Sequence, residues 1–317
     1  MNASRRASAP AFELYTAVMV GIDFDFVRYV NYRKGQVEQR ERDGAAYAYS
    51  GERKLRRALT SARPVLIAIE ATTRLWKSKA RRELLSSSTI ASDANHTTLY
   101  RAARSAGESL GLTVPGVYVA DDFPATSATL GTDEDTVVVL SRRAVDLLSE
   151  PELVALVGHE LGHVQNNHVP YSTALFYLRH EALFFVRWIV QPAIMALKGW
   201  ARRAEITCDR ASLIAVRDID YALAAMVKVE LDADERVGDA GDLDVRAHLA
   251  ELTEARGPVG RATDLFRAHP FLPKRARAME VFAQSLLYHK LTGQADAGGL
   301  SADEVDAQVA ELMSVFA

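Results

Sequence analysis

The strongest constraint in the sequence is a helix that signals both of its ends and carries two histidines one turn apart. Ser149 with Glu152 three residues later forms a capping box, Pro151 sits in the first turn and Pro170 follows the end, so a helix is predicted over about 150–167. On it stands His159-Glu160-Leu161-Gly162-His163, an H-E-x-x-H pattern. Residues four apart on a helix are separated by about 40° of rotation and one turn of rise, so both imidazoles can reach one metal ion. Glu160 is offset by about 100° from His159, near enough to hold a metal-bound water without taking a ligand position. Leu153, Val154, Leu156, Val157, Leu161 and Val164 give the helix an apolar surface to bury. Two neutral nitrogens suit zinc and leave room for a third protein ligand and a water whose pKa the metal lowers towards about 7.

Short H-E-x-x-H strings also arise by chance, and the alternative is a half-buried helix with two surface histidines. The third ligand therefore decides the matter. His168 is close in sequence, but five residues beyond His163 correspond to about 140° around a continuing helix, so it reads as a helix-end or surface histidine. The spacing H-E-x-x-H-x-x-G-x-x-H would need a glycine and a histidine where this chain has Asn166 and Val169. Glu205 is the better candidate. It lies four residues before Asp209 on a helix predicted over about 201–217, so one carboxylate can bind the metal while the other accepts a ring N–H from a ligand histidine. Two inward carboxylates need a cation, and zinc supplies one. The competing reading makes them exposed acids paired with Arg202, Arg203 and Arg210.

His159-Glu160-x-x-His163 followed by Glu205-x-x-Cys208-Asp209 resembles gluzincin metallopeptidases of the HtpX and CaaX-prenyl-protease type, whose second motif is typically E-x-x-A-D. The likeness covers about 97–290. It includes PGVYVADD, a small-residue segment, a strand, LSEPELVALVGHELGHVQNNH, and a late His269-Pro270 with Lys274-Arg275. The resemblance implies one zinc ion per chain on His159, His163 and Glu205, with Glu160 as the general base that activates a metal-bound water and then protonates the leaving amine. Asp209 matches the carboxylate behind a ligand histidine. His269 and Arg275 match the late motif and are assigned to polarising the scissile carbonyl or binding peptide. Ala125 to Leu130 would be the edge strand that pairs with extended substrate. The chain departs from the family at Thr126-Ser127-Ala128-Thr129-Leu130-Gly131, where N-A-F-A-x-G is common, and at Cys208, which reads as a small buried side chain.

The implied fold is α+β and mainly α, a zincin-like metallopeptidase fold with a small mixed sheet packed on the metal-bearing helix. Residues 97–110 fit an amphipathic helix closed by Gly111, and 116–123 and 136–141 read as strands, while LLSSSTIASDAN before them reads as a linker or helix start. Further helices are expected over about 219–235 and 273–290, and Ser301 with Glu304 caps a short acidic one. The expected divisions are a helical N-terminal extension over 1–90, with 11–83 mostly helical, a zinc metallopeptidase domain over 91–290 and an acidic C-terminal helix or tail over 291–317.

With 317 residues, 49% of them hydrophobic, and 38 basic against 41 acidic groups, the chain is neither a disordered polyampholyte nor a bulk membrane protein. Its single cysteine excludes intramolecular disulfides and a Cys-rich zinc module. A net charge of -3 gives no global case for nucleic acid. Charge is uneven, however: residues 52–83 hold ten basic and three acidic groups, either a solvated helical face or a surface for an anionic partner. MNASRRASAP leads into Glu13, Asp23 and Asp25 rather than an apolar run, so no signal peptide is expected. In residues 182–200, 14 of 19 are apolar, but Arg187 and Pro192 interrupt them, favouring a core helix or interfacial hairpin over a membrane span. The reading is a zinc-dependent endopeptidase acting on peptide or protein substrates, not nucleic acid. It is expected in the cytoplasm, with 52–83 and 182–200 as candidates for peripheral membrane contact. The alternative is a catalytically silent or latent metal-binding protein acting as a regulatory module.

Overall fold

The computed structural model describes residues 44–180, 184–233, 243–254, 271–294 and 297–314. His269, Pro270 and the helical expectation for residues 11–43 lie outside them. Chain order is α1 (Ser50–Leu59), α2 (Arg63–Leu75) continuing through a π-turn at Trp76–Ala80, α3 (Arg81–Ser86), β1 (Ser88–Ile90), α4 (Thr97–Leu110), β2 (Gly116–Ala120), β3 (Ser127–Gly131) and β4 (Thr136–Ser141). There follow α5 (Arg142–Leu147), α6 (Glu150–Gln165), α7 (Val169–His180), α8 (Phe184–Val216), α9 (Ile219–Ala233), α10 (Val245–Glu254), α11 (Leu272–Ala283), α12 (Leu286–Leu291) and α13 (Ala302–Leu312). The fold is α+β and mainly α.

The four strands lie in the order β1-β2-β4-β3; β2 and β4 are parallel, and β1 and β3 are antiparallel edges. The unbroken apolar run Val137-Val138-Val139-Leu140 is explained by burial on both faces. Val138 and Leu140 join Val117 and Val119 in the main core under α6, whereas Val137 and Val139 pack with Leu130 and Trp76 on the opposite side. β1 falls in the segment expected to be a linker or helix start. Its side chains carry little pattern, and pairing with β2 decides its conformation.

α6 begins as the sequence predicts. The Ser149 N–H donates to Glu152 Oε2 at 2.8 Å, and Lys228 Nζ adds a contact to Glu152 Oε1 at 2.6 Å. Pro192, by contrast, does not end a helix: α8 runs 33 residues through it. An interior proline costs about 3 kcal/mol. Here Ala193, Ile194, Leu197 and Trp200 are buried against α2 and α7 and hold the helix in place directly beyond the proline. The predicted 273–290 helix is broken instead at Gln284 and Ser285, where the Ser285 hydroxyl accepts the Tyr288 N–H at 3.0 Å and starts α12. Among the described residues no helix is long and apolar enough to cross a membrane.

Residues 45–50 run as a strap over the buried half of α8. The Ala45 N–H donates to Asn166 Oδ1 (2.8 Å), Tyr47 OH to Gln165 Oε1 (2.7 Å), the Tyr49 N–H to Thr207 Oγ1 (3.1 Å) and the Ser50 N–H to Asp306 Oδ2 (2.9 Å). Arg210 donates to Tyr47 O (3.0 Å) and to Asp306 Oδ1 (2.8 Å), so α8, the strap and α13 share one buried guanidinium.

Candidate metal centre

α6 and α8 approach closely because α6 presents glycines at the contact. A methyl on Gly158 would lie 2.4 Å from Ala215 Cβ, and one on Gly162 would lie 2.9 Å from Ala211 Cβ and 3.0 Å from Cys208 Cα. That approach brings the histidines of α6 onto the carboxylates of α8. His159 Nε2 lies 3.4 Å from Glu205 Oε2, and His163 Nε2 lies 3.9 Å from Glu205 Oε1. His159 Nδ1 lies 3.1 Å from Asp209 Oδ1. The structure thus brings the four candidate residues His159, His163, Glu205 and Asp209 together, and all but His159 are buried. Glu205 and Asp209 are not exposed acids.

Arg275 of α11 is corrected in position. Expected to polarise a carbonyl or bind peptide, it is buried, donates from Nε to Asp209 Oδ2 at 2.9 Å and from Nη2 to Asp209 Oδ1 at 2.6 Å, and lies 3.2 Å from Glu205 Oε2. Its guanidinium faces the two carboxylates.

Two buried carboxylates set the electrostatics here, faced by the Arg275 guanidinium and the His159 imidazole. Burial alone would depress the His159 imidazolium, yet Asp209 and Glu205 outweigh it and carry its pKa up to about 10. Burial pushes the Glu160 carboxyl up, with His159 and the Ser127 and Thr129 hydroxyls opposing. Burial also works against ionised Asp209, but Arg275 and His159 prevail and hold it below the ordinary carboxylate value.

Two donor sets are within reach of a metal. His159, His163 and Cys208 offer atoms within 4.8 Å of one another, and the two histidines also face Glu205. The ring nitrogens favour Glu205. His163 Nδ1 is 3.2 Å from His168 Nδ1, and Cys208 Sγ lies 3.7 Å from that same His168 atom, so the thiol sits on the Nδ1 side, away from the Nε2 atoms that converge on Glu205. Burial and the surrounding carboxylates push the Cys208 thiol well up, against the thiolate that a metal requires. Two imidazole nitrogens and a carboxylate fit zinc.

Four residues that the sequence reading did not place lie around these groups. Ser127 Oγ donates to Glu160 Oε1 and Thr129 Oγ1 to Glu160 Oε2, each at 2.6 Å, so β3 fixes both oxygens. The alternation of a strand puts residues 127 and 129 on one face, which was the available signal. His168 does stand at a helix end, directly before α7, but is fully buried rather than at the surface. α6 ends at Gln165 and Asn167 takes a left-handed φ of 57°, so the chain turns back and the 140° argument for a continuing helix does not apply. Beyond His168 stands buried Glu52 of α1, whose Oε1 lies 3.3 Å from His168 Nε2.

The sheet has two central parallel strands with antiparallel edges, and α6 presents two histidines to a carboxylate of α8. Residues 94–282 match Peptidase family M48, and the chain belongs to that family. It is 27% identical over 203 residues to the plastoglobule-localized metallopeptidase 48, chloroplastic, of Arabidopsis thaliana, covering 60% of this chain and 58% of that one. It is 24% identical over 185 residues to a protease HtpX homolog of Salinibacter ruber, covering 52% of this chain and 66% of that one. The alignments therefore span less than two thirds of either relative. No solved structure matches the chain.

Proposed function

We propose that the protein is a zinc-dependent endopeptidase with His159, His163 and Glu205 as metal ligands and Glu160 as general base. The observation that carries this reading is the convergence of two Nε2 atoms on the Glu205 carboxylate with buried Glu160 beside them. Zinc in such a setting supplies Lewis acidity and a water of lowered pKa. The chain's own residues do the rest. Asp209 accepts the His159 Nδ1 proton and fixes that ring's tautomer, and Arg275 holds Asp209 and Glu205 in place. Glu160, oriented by Ser127 and Thr129, takes a proton from the attacking water and returns it to the leaving amine. Among the described residues β3 is a sheet edge, with Thr129 O and the Gly131 N–H taken by Ser172 and Thr173 of α7, so an extended peptide would pair by main-chain hydrogen bonds at its Ser127 end. His269 keeps its assignment to carbonyl polarisation or peptide binding from the family resemblance alone.

Contact with an anionic membrane surface through 52–83 is part of the proposal. Leu66 and Ile67 are 45% and 58% exposed on the same helix as exposed Arg63 and Arg74. Loss of liposome co-sedimentation with rising salt tests it, and salt-independent or absent binding removes it.

Elemental analysis of purified protein, followed by cleavage of casein or a quenched peptide, tests the central reading. Near-stoichiometric zinc that falls in Glu205→Ala, with cleavage lost in Glu160→Ala, is expected. Absence of zinc in protein purified without chelators overturns the ligand assignment. A second reading, a latent metal-binding protein, draws on the double hydroxyl contact that occupies both Glu160 oxygens. Zinc without cleavage by the wild type would favour it.

A further inference from the structure

Each of the two histidines on α6 is backed at its Nδ1. Behind His159 stands Asp209, within the family-matched region. Behind His163 the backing is different: His168 Nδ1 at 3.2 Å, then Glu52 Oε1 at 3.3 Å from His168 Nε2, with the Trp200 indole N–H donating to the same Glu52 oxygen at 2.9 Å. Glu52 and His168 are both 0% exposed. Glu52 lies outside residues 94–282, so this contact comes from a segment that the family match does not include.

The direction of the chain of contacts is fixed by donor and acceptor chemistry. A histidine that gives Nε2 to a metal carries its proton on Nδ1 and must donate there. His168 Nδ1 then accepts, which puts the His168 proton on Nε2, facing a carboxylate that only accepts. His163, His168 and Glu52 thus have one consistent proton arrangement, and it is the one a metal on His163 Nε2 requires. The pair is also a costly way to fill a core. Glu52 Oε2 and His168 Nε2 are buried without a hydrogen bond of good geometry, and Arg56 Nε stands 3.4 Å from Glu52 Oε1. Apolar residues of similar size fill such space at no loss of stability and often with a gain. A polar pair with unsatisfied atoms at the rear of a ligand histidine therefore points to a role at that histidine.

We propose that Glu52 and His168 are positioning residues for His163, which orient its ring and fix its tautomer for metal binding. α1 is then part of the metal centre. The proposal rests on the metal-ligand reading above, and the test separates the two. The quantity read is the zinc dissociation constant, by competition with a chromophoric chelator, alongside the cobalt-substituted visible spectrum and the thermal midpoint of the metal-free protein. Wild type and Glu205→Ala establish whether the metal reading holds. Glu52→Gln, His168→Leu and His168→Gln then test the relay. Glu52→Gln and His168→Leu are expected to weaken zinc about 10- to 100-fold and to alter the cobalt spectrum. In the metal-free protein the double variant Glu52→Leu with His168→Leu, which removes both partners, should have a midpoint equal to or above wild type, whereas His168→Leu alone leaves Glu52 buried without its imidazole and should lower it. His168→Gln, whose side-chain oxygen can accept from His163 Nδ1, should recover part of the loss in zinc affinity. Zinc affinity and cobalt spectrum unchanged from wild type in folded Glu52→Gln, or a drop in metal-free stability with no change in affinity, overturns the proposal. If His168→Leu does not fold, Glu52→Gln decides. If wild type and Glu205→Ala are alike in lacking zinc, it is the ligand reading that fails.

Discussion

Adding one methyl group at Gly162 measures how far the metal centre depends on the closeness of α6 and α8. Gly162 lies between Glu160 and His163, and its Cβ would meet Ala211 Cβ at 2.9 Å and the Cys208 backbone at 3.0 Å. Ordinary carbon contacts are about 3.5–4.0 Å, so the helices must part by roughly 0.5–1 Å at this point. Overpacking of this kind costs about 1–3 kcal/mol, and replacing helical glycine with alanine returns about 1 kcal/mol. The net loss for Gly162→Ala is therefore about 0–2 kcal/mol. The ligands have less tolerance, since metal–ligand distances hold to about 0.2 Å. Zinc affinity should fall at least about tenfold, or about 1.4 kcal/mol. Gly158→Ala is the contrast. Its overlap is tighter, 2.4 Å from Ala215 Cβ, but it lies farther along α8 from Glu205, so it should lose more stability and less zinc affinity. Urea unfolding of the metal-free proteins and chelator competition read the two quantities separately. If Gly162→Ala binds zinc as tightly as wild type and is no less stable, the close-packing argument is wrong.

Glu160→Gln should keep zinc stoichiometry and lower kcat at least about 100-fold, read by elemental analysis and peptide cleavage; retained turnover would remove Glu160 as the base. Arg275→Met leaves buried Glu205 and Asp209 without their guanidinium and should destabilise the metal-free protein by about 3–5 kcal/mol. Added zinc should narrow that gap, and an equal deficit with and without zinc would count against Arg275 serving the carboxylates. Asp209, held below its ordinary value despite burial, contributes stability that is complete above the unfolded value near 4 and is lost as pH falls through the depressed one. Arg275→Met removes that depression, so acid unfolding followed by circular dichroism should begin at a higher pH than in wild type; an unchanged midpoint would contradict the assignment.

The parts of the centre that were legible in the sequence are those set by local periodicity. His159, Glu160 and His163 follow from helix geometry once Ser149, Glu152 and Pro151 fix the start, and Glu205 with Asp209 follows from the same four-residue spacing. The parts that were not legible depend on how the chain turns or meets itself. His168 was misplaced because the helix ends at Gln165 and reverses at Asn167, so rotation counted along a continuing helix does not describe it. The helix expected over 201–217 starts at Phe184 instead, because tertiary burial of Ala193, Ile194 and Leu197 outweighs the cost of Pro192 inside it. The preference for a core helix over a membrane span holds among the described residues. Arg275 was assigned to substrate, since the sequence shows its spacing from His269 but not that its guanidinium turns onto Asp209. Glu52 gave no signal: in a run of ten basic residues an acid reads as a helix-surface partner, whereas its oxygen meets His168 and Trp200 in the interior.

Arg210 has a consequence for how this protein can be divided. Its guanidinium is held from one side by the Tyr47 carbonyl and from the other by Asp306, residues 163 and 96 positions away along the chain. A fragment cut to residues 94–282 would keep the histidines and Glu205 but lose both clasps. It would uncover Thr207, Arg210 and His168 on the helix and turn that carry the metal centre. The smallest piece able to keep this arrangement is therefore longer at both ends than the family-matched region, and a recombinant fragment trimmed to 94–282 is expected to aggregate or fail to bind zinc.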